Sequence, residues 1–221
     1  MLVTARESFA VHLRGTPTAR DYVQRGLIAM WDAIENAGWG IHDATTRTWK
    51  DLVGSRDMSL TSYITIGDDA VTFASNYQSG TYANIPFNDV VCVEFVYRAN
   101  VARVAYGVSF NSSGTYKYIA WRQQGKHIFM GNYGKNFLVD PTAARQSYHY
   151  DYSTTRLYVD GQERSSTGTG GTFSAEPAGV NTYGGAYSID GAFSSLRVYS
   201  SALTAAEIAA NYTIDKERFG L

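Results

Sequence analysis

The sequence predicts an all-β fold: two antiparallel sheets packed as a sandwich, with a short helix at each end of the chain. Three observations carry this. Between Gly26 and Tyr199 the 221-residue chain breaks into about a dozen short apolar or alternating runs punctuated by glycine, asparagine and aspartate, the spacing of a sandwich. Seventeen tyrosines and 21 glycines against four prolines favour pleated strands joined by tight turns. Helical periodicity with capping signals occurs only at the two ends.

In order along the chain, residues 4–15 read as a helix. Thr4 and Glu7 form a capping box, Phe9 and Leu13 share a face, and Gly15 with Pro17 stops it. Residues 1–23 are therefore expected to be an extension, able to pack on the domain or to dock a partner copy, with the domain itself at 24–221. Leu27–Trp31 is an apolar run of strand length, followed by a turn-rich loop at 32–40. Short strands are expected at 49–53, 58–60, 63–66, 70–74 and 81–85. Longer ones follow at 89–98, 102–110, 116–123, 127–130, 135–139, 144–152 and 155–159. Asp160-Gly161 between Leu157-Tyr-Val159 and Gln162-Glu163 is a hairpin signal, because a type I′ turn needs positive φ at both central positions. Residues 165–172 read as a loop, and strands near 180–185 and 192–199 lead into the last helix. There Leu196 and Val198 alternate with Arg197 and Tyr199, the period of a strand with one wet face. Thr204 and Glu207 form a second capping box, Leu203 can meet Ile208 as a staple, and Tyr212 can help hold the helix to the sandwich edge.

A net charge of -1 provides no field to draw nucleic acid or anionic lipid, and no apolar run reaches membrane-spanning length. No nucleic-acid partner and no membrane insertion are expected. The first residues lack the 7–15-residue apolar stretch of a secretory signal, so the chain is expected to be cytoplasmic when made. Cys92 is the single cysteine, which rules out an intrachain disulfide and a cysteine zinc site; within Val90–Val96 it reads as a small buried hydrophobe.

Two stretches then take on a family likeness. Thr155-Arg-Leu-Tyr-Val-Asp-Gly161 and the ending Gly191…Leu196-Arg-Val-Tyr-Ser-Ser-Ala-Leu-Thr-Ala-Ala-Glu-Ile-Ala-Ala-Asn-Tyr212 resemble the laminin G-like, concanavalin A-like jelly-roll domains. Gly26-Leu-Ile-Ala-Met-Trp31 with Trp49-Lys-Asp-Leu-Val-Gly54 is similar to versions found in gut bacteria and their prophages. The resemblance implies a jelly-roll sandwich and a binding or adhesion module for carbohydrate or protein, with a virion-associated place suggested by the prophage likeness. The wider fold also includes glucanases, and laminin G-like relatives often bind calcium at a sandwich rim.

Glucanases of this fold carry Glu-x-Asp-x-x-Glu on one strand, placing two carboxyl groups to flank a glycosidic bond. None of the seven glutamates here begins Glu-x-Asp, so no catalytic residue is assigned. The four histidines lack metal-ligand spacing, and no nucleophile elbow or dinucleotide loop appears. For calcium, Asp32, Asn36 and Asp43, or Asp68 and Asp69, are the available oxygen ligands, against the reading that they serve turns. For a ligand, the strand pattern places Val104, Tyr106, Val108 and Phe110 in the core, leaving Arg103, Ala105, Gly107 and Ser109 above the sheet. Tyr118, Ala120 and Arg122 are expected on the same open side. If Val93, Phe95 and Tyr97 face inward, Glu94 and Arg98 join them as the floor of a shallow groove. The alternative is a wet sheet face with Glu94 paired to an arginine. Trp39, between glycines in a loop, is the candidate exposed aromatic.

Three functions are thus open: a non-catalytic binding or adhesion module for carbohydrate, a structural assembly protein forming homo-oligomers or docking other particle proteins, and a glycoside hydrolase without the usual motif.

Overall fold

A computed structural model describes residues 15–74, 85, 89–100, 105–112, 115–122, 127–130, 135–169, 179–180 and 190–221. The capping box at Thr4 and Glu7, and the expected strand at 81–85 apart from its last residue, lie outside these. The architecture is the antiparallel two-sheet sandwich that the sequence predicts, with one C-terminal helix.

The larger sheet is built on β6 (Cys92–Ala99) and β16 (Gly191–Tyr199), paired along their whole lengths. Beyond β6 follow β11 (Gln146–Asp151), β12 (Arg156–Val159) and β13 (Gln162–Arg164). The other edge of β16 is shared end to end by β1 (Leu27–Asp32) and β5 (Val71–Phe73), and β5 carries β4 (Ile64–Ile66). The second sheet runs β14 (Ser166–Thr169), β10 (Lys135–Leu138), β9 (His127–Met130), β8 (Thr115–Arg122), β7 (Ala105–Ser112) and β15 (Gly179–Val180). A small ribbon, β2 (Thr48–Trp49) with β3 (Met58–Ser59), stands apart.

The Asp160-Gly161 turn forms as its chemistry demands, with φ of 53° and 71° at its two central residues. The stretch 165–172, read as a loop, contains β14. Its small polar residues look like turn formers, but they pair with β10 at the sheet edge across a register shift.

Between the sheets lies the main core. Val93, Phe95 and Tyr97 of β6, Tyr148 and Tyr150 of β11, and Leu196 and Val198 of β16 all contribute to it. Phe95 stacks on Tyr148 at 4.8 Å, and Phe137 of the second sheet meets Tyr150 edge-on at 6.3 Å, tying one layer to the other. A second cluster lies on the opposite side of the large sheet, joining Tyr22, Leu27, Met30, Cys92 and Tyr199 to Leu203 and Ile208.

That second cluster exists because α1 (Ala205–Phe219) folds back over the sheet. Thr204 and Glu207 close the capping box as read from sequence, and Gly220 ends the helix in the left-handed region at φ 67°. The helix does not merely pin an edge. It crosses the outer face of β6, β11 and β16, so the face that Arg197 and Tyr199 share is dry. Both residues are fully buried, which corrects the expectation of a wet face. The segment before β1 joins this layer too. A single 3-10 turn, Ala19–Asp21, has its own Thr18 capping box, Ala19 and Tyr22 are buried, and the Val23 amide donates to Asn211. Within the expected extension, residues 18–23 pack on the domain, one of the two roles open to that segment.

Candidate functional site

The large sheet presents Glu94 on the face away from the core, as strand alternation requires. It was expected either on the floor of an open groove or on a wet face paired to an arginine; the arginine pairing is present, the wet face is not. It is 2% exposed beneath α1, at the centre of a buried polar network. Its carboxylate accepts from Arg197 Nε at 3.0 Å and Asn211 Nδ2 at 2.7 Å, and lies 3.1 Å from His149 Nδ1. Arg197 continues to Asp215 with two bonds of 2.8 Å, and its guanidinium sits 3.9 Å over the Tyr22 ring. Tyr22 and Ser147 in turn donate to Asp215. Each charge is therefore paired and hydrogen-bonded, the condition for tolerating burial.

Burial works to raise the Glu94 carboxyl, but the Arg197 guanidinium and the bonds from His149 and Asn211 outweigh it and hold the group below its ordinary value. Burial, reinforced by the Asp215 charge, pushes the Tyr22 hydroxyl well up. Cys92 lies in the same layer, and burial, then the neighbouring Glu94 charge, raises its thiol, so it is a packed hydrophobe as expected. The arrangement looks like an active site in composition, but α1 and the Tyr22 segment cover it. It fastens the helix to the sheet.

The residues considered for calcium have other work. Both ends of the Asn36 amide are committed to the Asp43 backbone at 2.8 Å. Asp43 accepts from the Thr45 amide and hydroxyl, an Asx turn. Asp32 is fully buried, capping the Ile34 and Glu35 amides through Oδ1 and facing Arg218 at 2.8 Å. Asp32 thus serves its turn and pairs with a buried guanidinium, while Asn36 and Asp43 hold each other's loop, the turn-serving work that was the other reading of these residues. Asp69 binds Arg145. Among the described residues no group of three or more His, Cys, Asp or Glu is placed to hold a metal. Trp39 is half-buried, with the Arg20 guanidinium 4.5 Å over its ring.

The rest of the expected groove divides between the sheets. Arg98 is exposed on β6 of the large sheet, whereas Tyr118 and Arg122 belong to β8 of the second, so Glu94 and Arg98 do not share a face with them. Arg103 lies outside the described residues.

What remains is the outer face of the six-stranded sheet, and the register defines it. Phe137 is in the core, and across the sheet it aligns with Ile128, Trp121 and Ala105, which marks the inner row. Its neighbour Leu138 is 61% exposed and aligns with His127 and Arg122, which marks the outer face. The next outer row is Asn136, Phe129, Ala120 and Tyr106, followed by Tyr118 opposite Ser109. A register shift between Tyr106 and Val108 puts Tyr106 in an outer row, not in the core row expected from strict alternation. None of the six strands contains Asp or Glu. They therefore supply no carboxylate pair for glycoside hydrolysis, while their outer rows hold tyrosine, phenylalanine, asparagine, arginine and histidine positions, the residue types that stack on and hydrogen-bond sugars.

Comparison with known proteins agrees with this architecture. Residues 61–209 match the family model described as the Concanavalin A-like lectin/glucanases superfamily, which embraces both binding domains and glycosidases. No curated protein sequence matches the chain. Among solved structures, Trypanosoma rangeli sialidase in complex with sialic acid superposes with a TM-score of 0.60 at 12% identity. The alignment covers 92% of this chain but 34% of the sialidase, so the chain spans about a third of that enzyme's length. Domain 4 of AbnA, a GH43 extracellular arabinanase from Geobacillus stearothermophilus in complex with arabinotriose, has a TM-score of 0.56 at 17% identity, covering 83% of this chain and 96% of that domain. The receptor binding domain of botulinum neurotoxin D has a TM-score of 0.59 at 11% identity, over 85% of this chain and 52% of that one. At these identities the likeness is one of fold.

Proposed function

Because the chain belongs to the concanavalin A-like lectin/glucanases superfamily, we propose that it is a non-catalytic carbohydrate-binding module that takes its ligand on the outer face of the six-stranded sheet. The observation that carries this is the contrast between the two outer faces. One is closed by α1 over a buried, ion-paired polar network; the other aligns aromatic and polar positions in rows, on strands without a single carboxylate. The arabinanase likeness supports the reading, since it extends over nearly the whole of a single domain solved with an oligosaccharide. A place on a phage or prophage particle rests on the sequence resemblance, and the neighbouring genes test it.

The test is calorimetric titration of the intact chain with a panel of oligosaccharides that includes arabinotriose and sialyllactose, with reducing-end release measured on the same panel. The expected result is saturable binding of at least one sugar, no hydrolysis, and binding weakened tenfold or more by Tyr118→Ala, as loss of a stacking platform would do. Release of product, or binding indifferent to Tyr118, overturns the proposal.

A further inference from the structure

We propose that residues 1–14 dock on their own domain as a helix, in a groove along α1, with Phe9 and Leu13 as the anchoring side chains. The groove is a cavity of about 760 Å³ between the start of the domain and α1. Gly15, Pro17 and Asp21 line one side of it, and Ala210, Thr213, Ile214 and Glu217 the other. The four helix residues recur at i, i+3, i+4 and i+7, so they form one face of α1. Ile208, Asn211, Asp215 and Phe219 form the face buried on the sheet. α1 therefore has a second stripe, where Ile214 is half-buried and Ala210 and Thr213 are exposed. Small side chains on such a stripe let another helix pack closely.

The occupant follows from where the chain enters. Gly15, the first described residue, itself lines the cavity, so the 14 residues before it start at the rim. A tether that short holds them at an effective concentration of about millimolar. Their direction is set as well. Arg218 donates to the Pro17 carbonyl and the Val23 amide donates to Asn211, so residues 17–23 run antiparallel to α1 and Gly15 stands toward the Glu217 end. A helix that precedes Gly15 and lies in the groove must turn back toward Ala210. Seven helical residues rise about 10 Å, which is also the span from Glu217 to Ala210, so Ser8 comes to stand beside Ala210. In the same placement Phe9 and Leu13, four apart on one face, meet Ile214 and its neighbours. Arg6 and Arg14 bring positive charge to a groove that carries Asp21 and Glu217.

Docking of the segment is independent of sugar binding and is tested on the full chain. Ser8→Cys is paired with Ala210→Cys in one variant and with Glu163→Cys, exposed at the far edge of the large sheet, in another. Cys92 is buried and takes no part. With a short bis-maleimide at low protein concentration, the Ala210 pair should link within one chain about tenfold or more faster than the Glu163 pair. Phe9→Asp should slow that link about tenfold, the worth of burying a phenylalanine. Equal rates for the two pairs overturn the proposal. So does a link between chains, which places the segment on a second copy, and so does a rate that Phe9→Asp leaves unchanged. Circular dichroism of each variant shows that the fold is intact.

Discussion

Replacing Arg197 with alanine tests the claim that the polar layer under α1 is a structural fastening. Arg197 is fully buried, donates to Glu94, Ser195 and Asp215, and stacks on Tyr22. The substitution leaves two carboxylates in a dry layer without their cation. Removing one partner of a buried pair costs about 3–5 kcal/mol, much of a domain's usual stability of about 5–15 kcal/mol. Urea unfolding, followed by tryptophan fluorescence, should show a large fall in midpoint with an unchanged slope. A triple variant, Arg197→Met with Glu94→Gln and Asp215→Asn, removes all three charges and should recover most of that loss. If Arg197→Ala lowers stability by less than about 1 kcal/mol, or the triple variant is worse than the single one, the network is not what holds the helix.

Three further outcomes follow from the same contacts. Thr204→Ala removes the hydroxyl that accepts the Glu207 amide, and should cost about 1 kcal/mol, or about 2–4 °C in Tm, by differential scanning calorimetry. Gly191→Ala places a Cβ 2.2 Å from the Tyr97 hydroxyl and 2.5 Å from the Arg98 carbonyl, where backbone cannot yield. It should cost at least about 1 kcal/mol of stability, read as a lower urea midpoint, and a silent substitution would contradict the packing of β6 on β16. The Glu207 carboxyl, bonded by Arg25 and by Thr204, is lowered from 4.5 to about 2. A depressed carboxyl stabilises the fold above its unfolded value and loses that contribution as pH falls through its folded value. Between about pH 4.5 and 2, wild type should therefore lose stability more steeply than Glu207→Gln, and parallel pH profiles would refute the assignment.

Where the chemistry is local, the sequence was readable. The Asp160-Gly161 turn and the Thr204–Glu207 cap each depend on residues within a few positions, and both form as written. The inward set Val93, Phe95 and Tyr97 was equally legible from the two-residue period. The fate of the other face was not, because it depends on a partner that folds over it. Nothing in Leu196-Arg-Val-Tyr199 indicates that Asp215 will return to meet Arg197, or that Glu94, 103 residues earlier, will complete the pair. An alternating strand reads the same whether water or a helix covers its polar side. His149, Asn211 and Tyr22 were missed for the same reason, although Asn211 and Asp215 stand four apart on one helix face, a spacing that could have signalled a polar contact. Tyr106 was misplaced by a different cause: a single register shift reverses the face of every residue beyond it.

The most direct test of the central claim is a map of where sugar binds. Backbone amide NMR shifts, recorded as the tightest-binding oligosaccharide of the panel is added to the intact chain, would provide it. Changes concentrated on β7, β8, β9 and β10, with β6, β16 and α1 unmoved, are the result this account predicts. Changes centred on Glu94, Arg197 and α1, or on the loop holding Asp32, Asn36 and Asp43, would contradict it.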